Sequence, residues 1–177
     1  MNAIIRSEKP EEREACDQIL RAAFGRENEV ELAASLRGLS DFNPNLSIVG
    51  ADGTEVRGYA LYQRATVDGI NGPQPALLLA PIGVDPAYQR KGVGERLVRH
   101  GLERCRVVGI ELVFTVGLPE YFSRFGFQPA APQGLTPNIP LPEDQFQVID
   151  LSGKMLGNVQ GTVNLPGPFT GQSAPAE

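Results

Sequence analysis

The stretch ALLLAPIGVDPAYQRKGVGERLVRHG, Ala76 to Gly101, leaves the chain few ways to fold. Its first nine residues are an apolar run, β-branched at the end and bounded by Pro and Gly, which suits a buried strand. From Val93 the period changes. Leu97, Gly101, Cys105 and Val108 recur at helical spacing, Val93, Gly94, Val98 and Leu102 widen the same stripe, and Arg96, Arg99, Glu103 and Arg106 fall opposite. The order is strand, tight loop, helix.

That order has a chemical consequence. The first backbone NH groups of a helix lack intrahelical partners, and the macrodipole places about half a positive charge there. Gly92 and Gly94 remove side chains that would block a ligand, so the NH groups from Gln89 to Glu95 can converge on an anion such as phosphate. Between Asp85 and Arg106 six Arg or Lys face three acids, a net +3 within a chain whose net charge is −5. A cationic loop on an acidic protein reads as a local anion site.

Neither the G-x-x-x-x-G-K-[ST] string of a Walker loop nor the G-x-G-x-x-G of a dinucleotide fold occurs here. Gln89-Arg90-Lys91-Gly92-Val93-Gly94, preceded by Ile82-Gly83-Val84-Asp85-Pro86, resembles instead the pyrophosphate-binding motif Q/R-x-x-G-x-G/A of the GNAT superfamily of acetyl-CoA-dependent N-acetyltransferases. A second stretch, VGLPEYFSRFGF (Val116 to Phe127), resembles the G-x-P-x-Y-Y-x-R-F-G-F segment of one bacterial branch of that superfamily. Gly117, Pro119, Tyr121, Arg124, Phe125, Gly126 and Phe127 match, whereas Phe122 stands where the family commonly has Tyr. ENEVELAASLRG, Glu27 to Gly38, sits where the family's second helix would. The resemblance covers roughly the first 150 residues.

The resemblance implies an α/β fold with a central mixed sheet, splayed between its fourth and fifth strands and flanked by about four helices. It places an N-acetyltransferase domain at residues 1–151; from Ser152 the composition shifts to Gly and Pro, so 152–177 reads as an extension with its last eight residues disordered. It implies acetyl-CoA as acetyl donor, no metal, and a primary amine as acceptor, on a small molecule or on a protein or peptide. The pantetheine arm would lie along the fourth strand, with Ile82, Gly83 and Val84 beside it. Backbone groups of Ile82 and Val84 would pair with the arm, and an NH near Ile82 would polarise the thioester. Gln89, Arg90, Lys91, Gly92, Val93, Gly94 and Glu95 would hold the pyrophosphate. Pro81, which cannot donate, would mark where the strands part. Tyr121 and Phe122 would border the cofactor at the fourth helix. A Tyr often protonates the leaving thiolate in this family; Phe122 cannot, and Tyr121 lies about 100° away around the helix. A thiol with a pKa of about 8.5 is in any case a tolerable leaving group.

The remaining residues bound the function further. A length of 177 residues with 41% hydrophobic content suits one globular domain. With no long apolar run, no N-terminal signal and a pI near 5.0, a soluble cytoplasmic protein is expected, acting on neither membrane nor nucleic acid. A homodimer is compatible with all of this. Cys16 and Cys105 fall on apolar helical faces and read as buried small hydrophobes. NAIIRS reads as a strand, PEEREACDQILRAAF as a first helix, and NEVELAASLRGL as a second with Leu32, Ser35, Leu36 and Leu39 facing the core. Asp52-Gly53 marks a hairpin between LSIVG and VRGYALYQRATV; IELVFTV, FQVIDL and GTVNL read as further strands.

No clustered His or Cys set supports a metal. His100 lies beyond the phosphate loop, remote from the acetyl end, and reads as a surface residue. Glu27, Glu29, Glu31 and Glu120 are the acids near the expected amine site, and the sequence ranks none above the others. Specificity is expected to depend on the loops after the first two helices and on DGINGPQP and APQGLTPNIPLPED. Two other readings stay open. One is a catalytically degenerate acetyl-CoA sensor or accessory domain, suggested by Phe122; the other is an unrelated anion-binding module. Cofactor binding separates the last from the first two, and turnover separates enzyme from sensor.

Overall fold

A computed structural model describes residues 2–171. In chain order the elements are β1 (Ile4–Ser7), α1 (Arg13–Phe24), α2 (Asn28–Arg37), β2 (Ser47–Asp52), β3 (Glu55–Gly69), β4 (Gly72–Val84), α3 (Val93–Val107), β5 (Leu112–Val116), α4 (Pro119–Phe122), β6 (Gln128–Pro129), β7 (Leu135–Pro137), β8 (Phe146–Asp150) and β9 (Gly161–Asn164). The strands form a mixed sheet in the order β1-β2-β3-β4-β5-β8-β6, with β9 on β3 and β7 on β9. The β4–β5 pairing is parallel and joins Ala76–Leu79 to Leu112–Thr115. β4 then runs five residues further, to Val84. The mixed α/β architecture with four helices among the described residues is the one expected from the sequence.

The chain divides into two compact units, Met1–Tyr62 with Ala80–Arg104, and Gln63–Leu79 with Cys105–Glu177. In the first, the Glu12 carboxylate accepts the Lys9 NH at 2.9 Å and two Arg6 bonds at 2.6 and 2.8 Å, fixing the entry to α1. Gly25, at φ 68°, ends that helix. The buried face of α2 is Glu29, Val30, Ala33 and Leu36; of the expected Leu32, Ser35, Leu36 and Leu39, Leu36 alone lies on it. Ser35 is exposed, and Leu32 and Leu39 only border the core. The reason is Arg37. Its guanidinium bonds Asp17 of α1 at 2.9 Å, pairs with Glu8 at 3.1 Å and stands 5.0 Å above the Tyr59 ring, which turns α2 so that Ala33 meets the core. Such a buried cation is tolerated because it is paired on several sides.

On the α3 side, Val93 and Leu97 press on backbone that carries no side chains. A Cβ at Gly58 would lie 2.8 Å from both, and one at Gly50 would lie 3.0 Å from Val93. The expected α3 stripe holds from Val93 through Cys105 but not at Val108, which is 46% exposed. The helix ends at Val107, Gly109 takes φ 81°, and the Ile110 NH returns to the Cys105 carbonyl at 2.9 Å, so the chain turns away before Val108 can join the stripe.

In the second unit, the Phe114 and Phe146 rings of β5 and β8 stack at 5.3 Å, and the Thr115 hydroxyl donates to the Leu79 carbonyl at 3.1 Å. DGINGPQP, one of the stretches expected to shape specificity, joins β3 to β4. It is the end of β3, a tight turn around Ile70 and Asn71, and the start of β4, closed by Gly72 at φ 99°. APQGLTPNIPLPED contains β7, which pairs with β9, the strand foreseen at GTVNL. The Asp150 carboxylate accepts four backbone NH groups, from Ser152, Gly153, Met155 and Leu156, at 2.7 to 3.0 Å. Of the eight terminal residues expected to be disordered, 172–177 lie outside the described residues. Cys16 and Cys105 are both free and buried. No described helix is long and apolar enough to cross a membrane.

Candidate active site

The loop after β4 is built by its own side chains. Asp85 donates its NH to the Arg57 carbonyl at 2.9 Å, and its Oδ1 accepts the Ala87 NH at 3.0 Å, starting a 3-10 turn at Pro86–Tyr88. Gln89 folds back, its Nε2 donating to the Val84 carbonyl at 3.2 Å. Arg90 takes φ 59° and Gly92 φ 84°, both in the left-handed region. That conformation costs an L side chain about 1–2 kcal/mol, so the non-Gly Arg90 is held there by the surrounding loop. A Cβ at Gly92 would meet no atom within 4 Å, so backbone conformation, not crowding, favours glycine there, and the space beside the loop stays open.

α3 begins at Val93, and the Arg96 NH bonds the Gly92 carbonyl at 3.1 Å. The NH groups of Val93, Gly94 and Glu95 precede that first helical bond and make an anion-favouring terminus. Val93 is the buried anchor, pressed on Gly58, while Arg90, Lys91 and Gly92 are exposed. Lys91 turns inward along the loop, donating to the Ala87 carbonyl at 2.9 Å and standing 5.0 Å from the Tyr88 ring centroid. Glu95 pairs with Arg99 one helical turn on, at 2.9 Å.

Upstream, Gly83 is buried, and its missing Cβ is explained by α1: Leu20 and Ala23 would stand 3.2 and 3.3 Å from it, and Phe24 3.6 Å. Strand alternation puts the side chains of Ile82 and Val84 on the face opposite Gly83. The Phe24 ring carries the Arg26 guanidinium at 5.9 Å, and Arg26 grips Glu29 through contacts of 2.5 to 3.1 Å. Burial separates the four acids. Glu29 is 4% exposed, whereas Glu27, Glu31 and Glu120 are all exposed, Glu27 in a surface pair with Arg21.

His100 is only partly exposed. Its Nε2 accepts a bond from Arg104 Nε at 2.9 Å, and burial together with that guanidinium lowers its pKa, so the ring is a neutral acceptor occupied away from the loop.

Tyr121 and Phe122 lie in the second unit, on α4. Phe122 is buried, 2% exposed, with Tyr121 edge-on at 4.9 Å and Phe127 at 5.6 Å. Tyr121 is half-buried; Arg124 stands 4.4 Å over its ring and donates to its carbonyl at 3.0 Å. Sequence reasoning missed Arg57, whose only local signal was a cation on the strand after the Asp52-Gly53 turn. Among the described residues no group of His, Cys, Asp and Glu could hold a metal ion.

Comparison with known proteins bears on this arrangement. A family model described as an acetyltransferase (GNAT) domain matches residues 4–130. The chain is 38% identical over 123 residues to the uncharacterized N-acetyltransferase YjhQ of Escherichia coli K12, covering 69% of this chain and 68% of that protein. To YhbS, an uncharacterized N-acetyltransferase of the same bacterium, it is 34% identical over 161 residues, covering 90% and 94%. The crystal structure of E. coli YhbS in complex with CoA superposes with a TM-score of 0.90 at 31% identity, over 100% of this chain and 97% of that one. A GNAT-family acetyltransferase from Brucella melitensis in complex with acetyl-CoA gives a TM-score of 0.77 at 25% identity, over 95% and 98%.

Proposed function

The chain belongs to the GNAT family of N-acetyltransferases, and on that premise we propose that its loop from Gln89 to Glu95 holds the pyrophosphate of acetyl-CoA while the acetyl group passes to a primary amine. The observation that carries this reading is the backbone of the loop. Left-handed residues at Arg90 and Gly92 lead directly into the first turn of α3 at Val93, Gly94 and Glu95, beside open space and among exposed cations. The bound CoA and acetyl-CoA in two similar structures support the ligand assignment.

Acetyl-CoA supplies the thioester. Backbone groups of Ile82 and Val84, on the stretch of β4 beyond its pairing with β5, would align the pantetheine arm, with the Ile82 NH directed at the thioester carbonyl. Alignment of this kind is worth about 7–11 kcal/mol, more than the 10²- to 10⁴-fold typical of a general acid. Tyr121 is the phenol on α4 that could return a proton to the departing thiolate, since Phe122 has none to give.

For the acceptor, Glu29 is the carboxylate we assign to the ammonium group of a cationic amine. Arg26, which holds Glu29, stands over the Phe24 ring of α1 that borders Gly83, and the acidic chain favours a cationic substrate. Residues 152–177 are an extension to the catalytic domain in this reading, and β9 within it pairs with β3.

Differential scanning with CoA tests the cofactor site. At a hundred times its Kd, CoA should stabilise the fold by about 2.7 kcal/mol. Gly94→Asp, which adds bulk and negative charge at the phosphate position, should abolish the shift, while His100→Ala should retain it. No shift with millimolar CoA would falsify the assignment.

A further inference from the structure

Arg57 sits on β3, outside every motif that marks the loop, yet it holds the loop at two points. Its carbonyl accepts the Asp85 NH at 2.9 Å, and its guanidinium faces Asp85 Oδ2 at 3.4 Å. The same guanidinium stands 4.3 Å over the Tyr88 ring. Lys91 stands near the same ring, so Tyr88 contacts cations from β3 and from the phosphate loop itself. Glu55 pairs with Arg57 from the solvent side. Asp85 is thus linked to β3 by backbone and side chain, and its Oδ1 starts the turn that precedes Gln89.

We propose that Arg57 is a positioning residue for acetyl-CoA binding: by clamping Asp85 and Tyr88 it sets the approach of the Gln89–Glu95 loop to the pyrophosphate. The inference rests on the cofactor-loop reading above. Two features separate this role from plain core packing. The Arg57 side chain is 21% exposed, so it is not a core element. It also lines an open cleft of about 460 Å³ between α1 and the β2–β3 turn, with Gln18, Ile19, Glu55 and Asp85 among the other walls, so truncation would extend an existing cleft and not create a sealed void.

Planarity matters as well as charge. A lysine can still face Asp85, but it lacks the flat guanidinium that lies on an aromatic ring while pairing with a carboxylate. Arg57→Lys is therefore expected to recover part of what Arg57→Ala loses.

The test measures CoA affinity by isothermal calorimetry alongside the ligand-free Tm for the wild type, Arg57→Ala, Arg57→Lys, Tyr88→Ala and the Arg57→Ala/Tyr88→Ala double variant. Arg57→Ala should weaken CoA binding roughly tenfold with the ligand-free Tm within about 2 °C of wild type, a shift too small for the loss of a core contact. Arg57→Lys should fall between the two. The double variant should bind no worse than the weaker single one, because both changes release the same clamp. Unchanged affinity in Arg57→Ala, with the wild type binding CoA, overturns the inference and leaves the cofactor site standing. So does a matching fall in Tm and affinity that lysine does not rescue. A wild type that fails to bind CoA overturns the cofactor-loop reading and the inference with it.

Discussion

The backbone of Gly101 lies against the hydroxyl end of Tyr62: a Cβ at Gly101 would stand 2.2 Å from two ring carbons and 2.3 Å from the hydroxyl oxygen. That approach lets the Tyr62 hydroxyl donate to the Val98 carbonyl of α3 at 3.0 Å. In an exposed helix, Gly→Ala stabilises by about 1 kcal/mol. Here the sign reverses. Gly101→Ala must displace a fully packed ring, an overpacking cost of about 1–3 kcal/mol, and chemical denaturation should show a lower midpoint. A midpoint equal to or above wild type would show that the ring has room to move.

The proton donor is tested at α4. Tyr121→Phe should lower kcat by roughly 10²- to 10⁴-fold with CoA affinity intact. Turnover at the wild-type rate would remove Tyr121 from the chemistry and leave the thiol's own acidity to suffice. The neighbouring Phe122→Tyr behaves differently. Phe122 is 2% exposed between Tyr121 and Phe127, so an added hydroxyl is buried among rings, and the variant should lose about 1–3 kcal/mol of stability.

Glu29 carries the acceptor assignment. Glu29→Gln keeps the shape and removes the charge, and should raise KM for a cationic amine by roughly 10- to 100-fold while leaving KM for acetyl-CoA unchanged. Thiol-release assays across polyamines, amino acids, aminoglycosides and lysine peptides supply the measurement. An acceptor KM that stays put, accompanied by a fall in Tm, would assign Glu29 to holding α2 alone.

The loop after β8 is tested by its response to acid. Burial pushes the Asp150 carboxyl up, but the NH groups of Leu156, Met155 and Ser152 and the Ser152 hydroxyl outweigh it, and the net shift is downward. A carboxylate with a depressed folded pKa contributes stability that is present above the unfolded value, about 3.9. That contribution fades as pH falls from there through the folded pKa. Asp150→Asn should therefore lower Tm at pH 7, corresponding to about 1–3 kcal/mol, and the two proteins should converge below pH 4. A constant gap at pH 7 and pH 3 would contradict the ionic role.

The strand, loop and helix from Ala76 to Arg106 were legible because each is specified within a few residues: β-branching, two glycines, and a 3.6-residue period. The same holds for α1 and the Asp52-Gly53 turn, whereas the short α4 was expected from the family resemblance of Val116 to Phe127. α2 was legible as a helix but not in its orientation. Its leucines suggested one face, and Arg37, reaching Asp17 and Glu8 from distant parts of the chain, selected another.

Sequence by itself thus determined the strand–loop–helix order from Ala76 to Arg106 and pointed to the family to which the chain belongs. Tertiary structure alone decided that Glu29 is buried while three neighbouring acids are not, that Gly83 and Gly101 are small because Leu20 and Tyr62 press on them, and that Arg57 clamps Asp85. The physical reason is range. Periodicity and turn chemistry act over a handful of bonds, whereas burial, close approach and ion pairing depend on segments separated by 28 residues at Arg57–Asp85 and 20 at Asp17–Arg37, which meet only once the sheet has formed.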